Sequence, residues 1–121
     1  RLSIKSDGKE EHSSYHLIIK NFQKQIEQNF IQKRLPKEYA ALLFITPNHL
    51  NAVCMKVVGK PAGKIIRERV ILEAKRLLVN LDLNISEVSD KLQFKDQSYF
   101  SKFFKKYESI TPEKFRTQHT L

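Results

Sequence analysis

The sequence predicts an all-α fold of about seven helices, built as two helix-turn-helix subdomains joined by a long linking helix. Two observations carry this reading. The apolar set Leu50, Val53, Cys54 and Val57 returns as Phe100, Phe103, Phe104 and Tyr107, and each set has the i, i+3, i+4, i+7 spacing of one buried helix face. Ahead of each set lies a shorter helical segment, Lys37 to Leu43 and Ile85 to Leu92, with only a few residues between, which is the layout of a helix-turn-helix.

The elements follow in order. Residues 1–13 are polar and charged and read as a linker or disordered arm. A first helix is expected from near Ser14 to about Lys33, its stripe made by Leu17, Phe22, Ile26, Phe30 and Ile31. Pro36 opens the second, with Tyr39, Ala40 and Leu43 inward. Thr46 and Pro47 start the third, because a Thr hydroxyl caps free amides and Pro fits the first helical position; Gly59 ends it.

From Gly63 to Leu81 the stripe Ile66, Val70, Ala74, Leu77 and Leu81 predicts the linking helix. At about 1.5 Å per residue it spans on the order of 27 Å, near the roughly 34 Å between successive major-groove faces on one side of B-DNA. Asn84 and Glu87 form a capping-box pattern before Val88 and Leu92, a sixth helix begins near Asp96, and Thr111-Pro112 opens a seventh whose Phe115 packs back. The expected division is a first unit of about 14–62, a linking helix of 63–81 and a second unit of 84–118, all within 14–121. Leu50 superposes on Phe100 and Ala40 on Ser89 when the second turn holds one residue more.

The chain has 121 residues, 22 Lys and Arg against 13 Asp and Glu, and net charge +9. That excess favours a polyanionic partner and lies mainly upstream of Asp82, so the second half must bind through placement of Lys102, Lys105 and Lys106. One cysteine, Cys54, excludes an internal disulfide and sits on an apolar face as a small hydrophobe. No Gly-rich phosphate loop, nucleophile elbow or HExxH is present, so no enzyme activity and no cofactor are expected. His12, His16 and His119 lack metal-ligand spacing, and no metal site is expected. No apolar run approaches the roughly 20 residues of a membrane span.

The outer faces lack acid: Asn48, Asn51, Ala52 and Met55 on one helix, Ser98, Ser101, Lys102 and Lys105 on the other. Phe94, Phe100, Phe103, Phe104, Tyr107 and Phe115 read as core rather than as a base-stacking platform, because their spacing fits one buried face. The competing reading is a basic helical module that binds a protein partner or an anionic surface without base readout. It calls for a large exposed apolar stripe, which beyond Met55 the outer faces do not show.

The run Ile85-Ser86-Glu87-Val88, then Phe94-Lys95-Asp96-Gln97-Ser98-Tyr99-Phe100-Ser101-Lys102-Phe103-Phe104-Lys105-Lys106-Tyr107, closing on Ile110-Thr111-Pro112-Glu113 and Phe115-Arg116, resembles the DNA-binding domain of the AraC/XylS family of bacterial transcriptional regulators. The likeness extends over about residues 15–118. It implies seven helices, with Thr46 to Val58 and Asp96 to Tyr107 entering the major groove. Base-facing positions then fall on Asn48, Asn51 and Ala52 in the first unit and on Gln97, Ser98, Ser101 and Lys102 in the second. Asn48 and Asn51 suit adenine and Lys102 suits guanine.

His49 is read first as a half-buried packing residue and second as a base contact. Thr46, Lys56, Lys60, Lys95, Lys105, Lys106 and Arg116 are assigned to phosphates. The chain departs from the family where Ala52 replaces a frequent Arg, Ser89 a small Ala, Gln93 the turn Gly and Ser109 the Gly after the second recognition helix. If Gln93 needs positive φ, that substitution costs about 1 kcal/mol. The resemblance further implies a cytoplasmic regulator, double-stranded DNA and RNA polymerase as partners, and an effector bound by an N-terminal domain outside this chain, which opens on Arg1.

Overall fold

The computed structural model describes the backbone of residues 3–120 and the side chains of residues 11–120. Regular structure among the described residues is entirely helical: α1 (Ser3–Asn29), α2 (Pro36–Leu42), α3 (Pro47–Val57), α4 (Ala62–Leu78), α5 (Ile85–Lys91), α6 (Gln97–Glu108) and α7 (Pro112–His119). They form two compact units, the first reaching to Arg67 and the second running from Glu68.

Helix starts obey local chemistry. Thr46 Oγ1 accepts the His49 amide at 3.0 Å and Thr111 Oγ1 the Lys114 amide at 3.1 Å, with Pro47 and Pro112 as first helical residues. Asn84 and Glu87 exchange bonds, the Glu87 amide donating to Asn84 Oδ1 at 2.8 Å and the Asn84 amide to Glu87 Oε1 at 2.9 Å. Asp96 Oδ1 accepts the Tyr99 amide at 2.8 Å. Each cap satisfies an amide that has no partner within its own helix.

Helix limits differ from expectation at three places. α1 begins at Ser3 rather than near Ser14. Residues 1 and 2 of the expected arm lie outside the described residues. From Ser3 the backbone is helical because no proline interrupts it, and extending a helix already nucleated adds one hydrogen bond per residue fixed. α1 then stops at Asn29 rather than Lys33, and α4 at Leu78 rather than Leu81.

An arginine takes the carbonyls at both of these ends. Arg34 donates from Nε to the Phe30 carbonyl at 2.8 Å and from Nη2 to that of Ile31 at 3.0 Å. Arg116 donates from Nε to the Leu78 carbonyl at 2.7 Å and from Nη2 to that of Asn80 at 3.3 Å. Asn80 Oδ1 accepts the Asp82 amide at 3.0 Å, turning the chain away. Leu81 is therefore 60% exposed instead of completing the stripe, and on α1 Leu17 is 57% exposed while Ile19 is buried in its stead.

In the first unit Phe22 and Ile26 of α1, with Phe30 just past its end, close over Tyr39 and Ala40 of α2 and Leu50, Val53 and Cys54 of α3. The Tyr39 ring meets Phe22 edge-on with centroids 5.5 Å apart, and its hydroxyl donates to the Lys33 carbonyl at 2.8 Å, so the buried phenol keeps a partner. The second core gathers Ile71, Ala74, Leu77 and Leu78 with Val88, Leu92, Phe100, Phe104 and Phe115. Phe94, Phe100, Phe104 and Phe115 form a chain of rings with successive centroids 5.2, 6.0 and 5.6 Å apart. Phe94, Phe100, Phe103, Phe104 and Phe115 are core, whereas Tyr107, expected with them at the end of the same helical stripe, is 38% exposed.

Both helix-turn-helix units reverse through a left-handed residue. Phe44 and Gln93 each have φ 58, and the next amide in each case reaches back to the short helix, Ile45 to the Ala40 carbonyl at 3.0 Å and Phe94 to that of Ser89 at 3.1 Å. That bond is the wide loop of a Schellman-type helix end. After α3 the left-handed position is Gly59 (φ 81), which tolerates it freely, whereas after α6 it is Ser109 (φ 69).

Candidate nucleic-acid interface

α3 and α6 hold equivalent places in their units, each following a short helix and a left-handed turn. Each buries one face, Leu50, Val53 and Cys54 on α3 and Phe100 and Phe104 on α6. The opposite face of α3 exposes Asn48, His49, Asn51, Ala52, Met55 and Lys56. That of α6 exposes Gln97, Ser98, Lys102, Lys105 and Lys106. Lys95 is exposed just ahead of α6, and Lys60 is half-exposed after α3.

Three placements depart from the sequence reading. His49 is exposed rather than half-buried, its ring lying in a T-shaped arrangement with Tyr15 at 6.0 Å between centroids. Ser101 is half-buried, since it adjoins Phe100 on the flank that turns into the core. Arg116 is half-buried and its guanidinium is committed to the α4 end, which removes the open fork that a phosphate contact needs.

Other polar atoms are shared between fold and surface. The Thr46 oxygen caps α3, and its hydroxyl hydrogen stays available to an acceptor. Asn51 Oδ1 accepts the Ala62 amide at 3.0 Å. Lys106 leans over the Tyr107 ring, Nζ 5.4 Å from its centroid. Glu108, the acid at the end of α6, is paired by Lys75 of α4, so no unpaired carboxylate adjoins Lys105 there.

Sequence reasoning passed over two exposed aromatic rings, Phe44 at 94% and Tyr99 at 57%. Phe44 had a usable signal: pairing Ala40 with Ser89 places it opposite Gln93, in the turn and out of reach of the core. No group of three metal-binding side chains exists among the described residues, and none of their helices is long and apolar enough to cross a membrane.

Two helix-turn-helix units, each presenting a polar helix face in a chain of net charge +9, define a protein of the DNA-binding class. A family model described as a helix-turn-helix domain matches residues 39–118. The transcriptional activator AarP of Providencia stuartii is 36% identical over 95 residues, 78% of this chain and 70% of that protein. The regulator YtdP of Bacillus subtilis is 28% identical over 88% of this chain, which spans only 14% of YtdP. Among solved structures, the C-terminal domain of the response regulator AraT from Geobacillus stearothermophilus superposes with a TM-score of 0.77 at 24% identity, over 86% of this chain and 87% of that one. The chain belongs to the AraC-type helix-turn-helix family of transcriptional regulators, and its function is sequence-specific DNA binding.

Proposed function

We propose that α3 and α6 are two recognition helices, each reading its own segment of major groove in one duplex. The observation that carries this is the repetition: the same turn bonds and the same left-handed residue position two helices whose exposed faces differ, Asn48, His49, Asn51 and Ala52 against Gln97, Ser98 and Lys102. Half-buried Ser101 reaches a base only from the helix flank. Different faces on one scaffold suit two different half-sites.

Phosphate contact is assigned to Thr46, Lys56, Lys60, Lys95, Lys105 and Lys106, which flank these faces; Arg116 is left to the fold. Lys102 lies one turn into α6, where a side chain reaches guanine O6 or N7. RNA polymerase as a further partner, an effector domain elsewhere in a longer cytoplasmic regulator, and the absence of catalysis belong to the same proposal. A contact to an anionic surface alone would use the lysines but needs no difference between the exposed faces of α3 and α6, and these faces differ.

Dissociation constants for a duplex recovered by selection and for its scrambled counterpart, measured from about 50 to 200 mM salt, test this reading. The selected duplex should bind on the order of 10³-fold more tightly. Lys105→Ala should flatten the salt slope by about one on both duplexes, while Lys102→Ala removes discrimination at one pair. Equal affinity for both duplexes would contradict it.

A further inference from the structure

We infer that Asn51 ties α3 to the start of α4 and, because of that tie, reads a hydrogen-bond acceptor on the base edge, guanine or thymine, in place of the adenine expected of an asparagine. This rests on the reading of α3 as a recognition helix. Ala62 opens α4 and is fully buried. Its amide is one of the four that an α-helix cannot satisfy internally. The Pro61 carbonyl begins the helix by accepting from Lys64 at 3.1 Å and Ile65 at 3.3 Å, but it offers nothing to the Ala62 N–H. Asn51 Oδ1 does, at 3.0 Å.

A main-chain amide can only donate, so the atom it meets must be the carboxamide oxygen, and the orientation of Asn51 is thereby fixed. The oxygen is held against the Pro61–Ala62 main chain, and the NH₂ group is the part of this exposed side chain left to meet a partner. Bidentate contact to adenine needs donor and acceptor together on one open edge. A base approaching the oxygen has to share it with Ala62 and lie against that main chain. Guanine O6 and N7, or thymine O4, ask only for the donors. Asn48, one turn earlier and exposed, carries no such tie among the bonds described, so the two asparagines of α3 differ in what they read.

Thermal midpoints and base preferences, the latter from selection on a randomised duplex library, separate the two halves of this inference in the wild type, Asn51→Asp and Asn51→Ala. The aspartate variant keeps an acceptor for the Ala62 amide and has no donor to present. Its midpoint should stay within about 2 °C of wild type, whereas Asn51→Ala should fall by about 4 °C, the loss of one such bond in a chain of this size. At the pair that depends on Asn51, wild type should enrich guanine or thymine, Asn51→Asp should enrich cytosine, whose N4 donates, and Asn51→Ala should lose about tenfold discrimination. Adenine enriched by wild type, an aspartate midpoint as low as that of alanine, or a preference common to all three chains would overturn the inference. A wild type that enriches no sequence overturns the recognition reading beneath it, and the ordering of midpoints still decides the tie.

Discussion

Ser89 shows how a single hydroxyl sets a local cost. It is fully buried, and its Oγ has no hydrogen-bond partner. An orphaned buried hydroxyl costs about 1–3 kcal/mol, so Ser89→Ala should raise stability by about 1 kcal/mol, read as a higher midpoint in urea with unchanged slope. Gln93 and Phe44, both at φ 58, carry a backbone cost that glycine does not, and Gln93→Gly should add about 1 kcal/mol in the same assay. The strain at Gln93 was legible because a turn position that favours Gly held Gln. Cys54 is buried on α3, and burial pushes its thiol up to about 11. It should resist thiol reagents near pH 8 in the folded protein and react on unfolding.

Helix beginnings were legible as local signals, Thr46-Pro47, Asn84 with Glu87, and Thr111-Pro112. Apart from Gly59 after α3, helix ends were not, because the groups that set them come from elsewhere: Arg116 reaches a carbonyl 38 residues upstream in the chain; nor was the start of α1 at Ser3, which follows no such cap signal. The same reason hid which polar atoms of the candidate site were already engaged, Asn51 Oδ1 and the Arg116 guanidinium, since each finds its partner on a different helix and helical periodicity reports only on a helix's own faces. Arg116→Ala should lower stability by about 2 kcal/mol, as for bonds from a charged donor, without altering the salt slope of DNA binding; a slope reduced by about one would return Arg116 to the phosphate contacts. On α4, a hydrogen bond from Arg76 holds the Glu73 carboxyl below its ordinary range. A carboxylate with a lowered folded pKa stabilises above its unfolded value and loses that contribution as pH falls through the folded one. Glu73→Gln should therefore flatten the acid limb of stability below about pH 4.

For the whole molecule, hydrophobic spacing was sufficient to order seven helices and most of both interiors, since most positions of the predicted stripes are those that the two cores bury, with Leu17, Leu81 and Tyr107 as exceptions at or near stripe ends. Net charge +9 supplies attraction to DNA but no sequence preference. Preference has to come from the two unlike faces, and the repeated turn is what sets both at the surface of their units. The most direct test is selection from a randomised duplex library at near-physiological salt with wild type, Asn48→Ala and Lys102→Ala. Two short enriched boxes about one helical turn apart, one relaxed only by Asn48→Ala and the other only by Lys102→Ala, is the predicted result; a single box weakened equally by both substitutions would contradict two-helix readout.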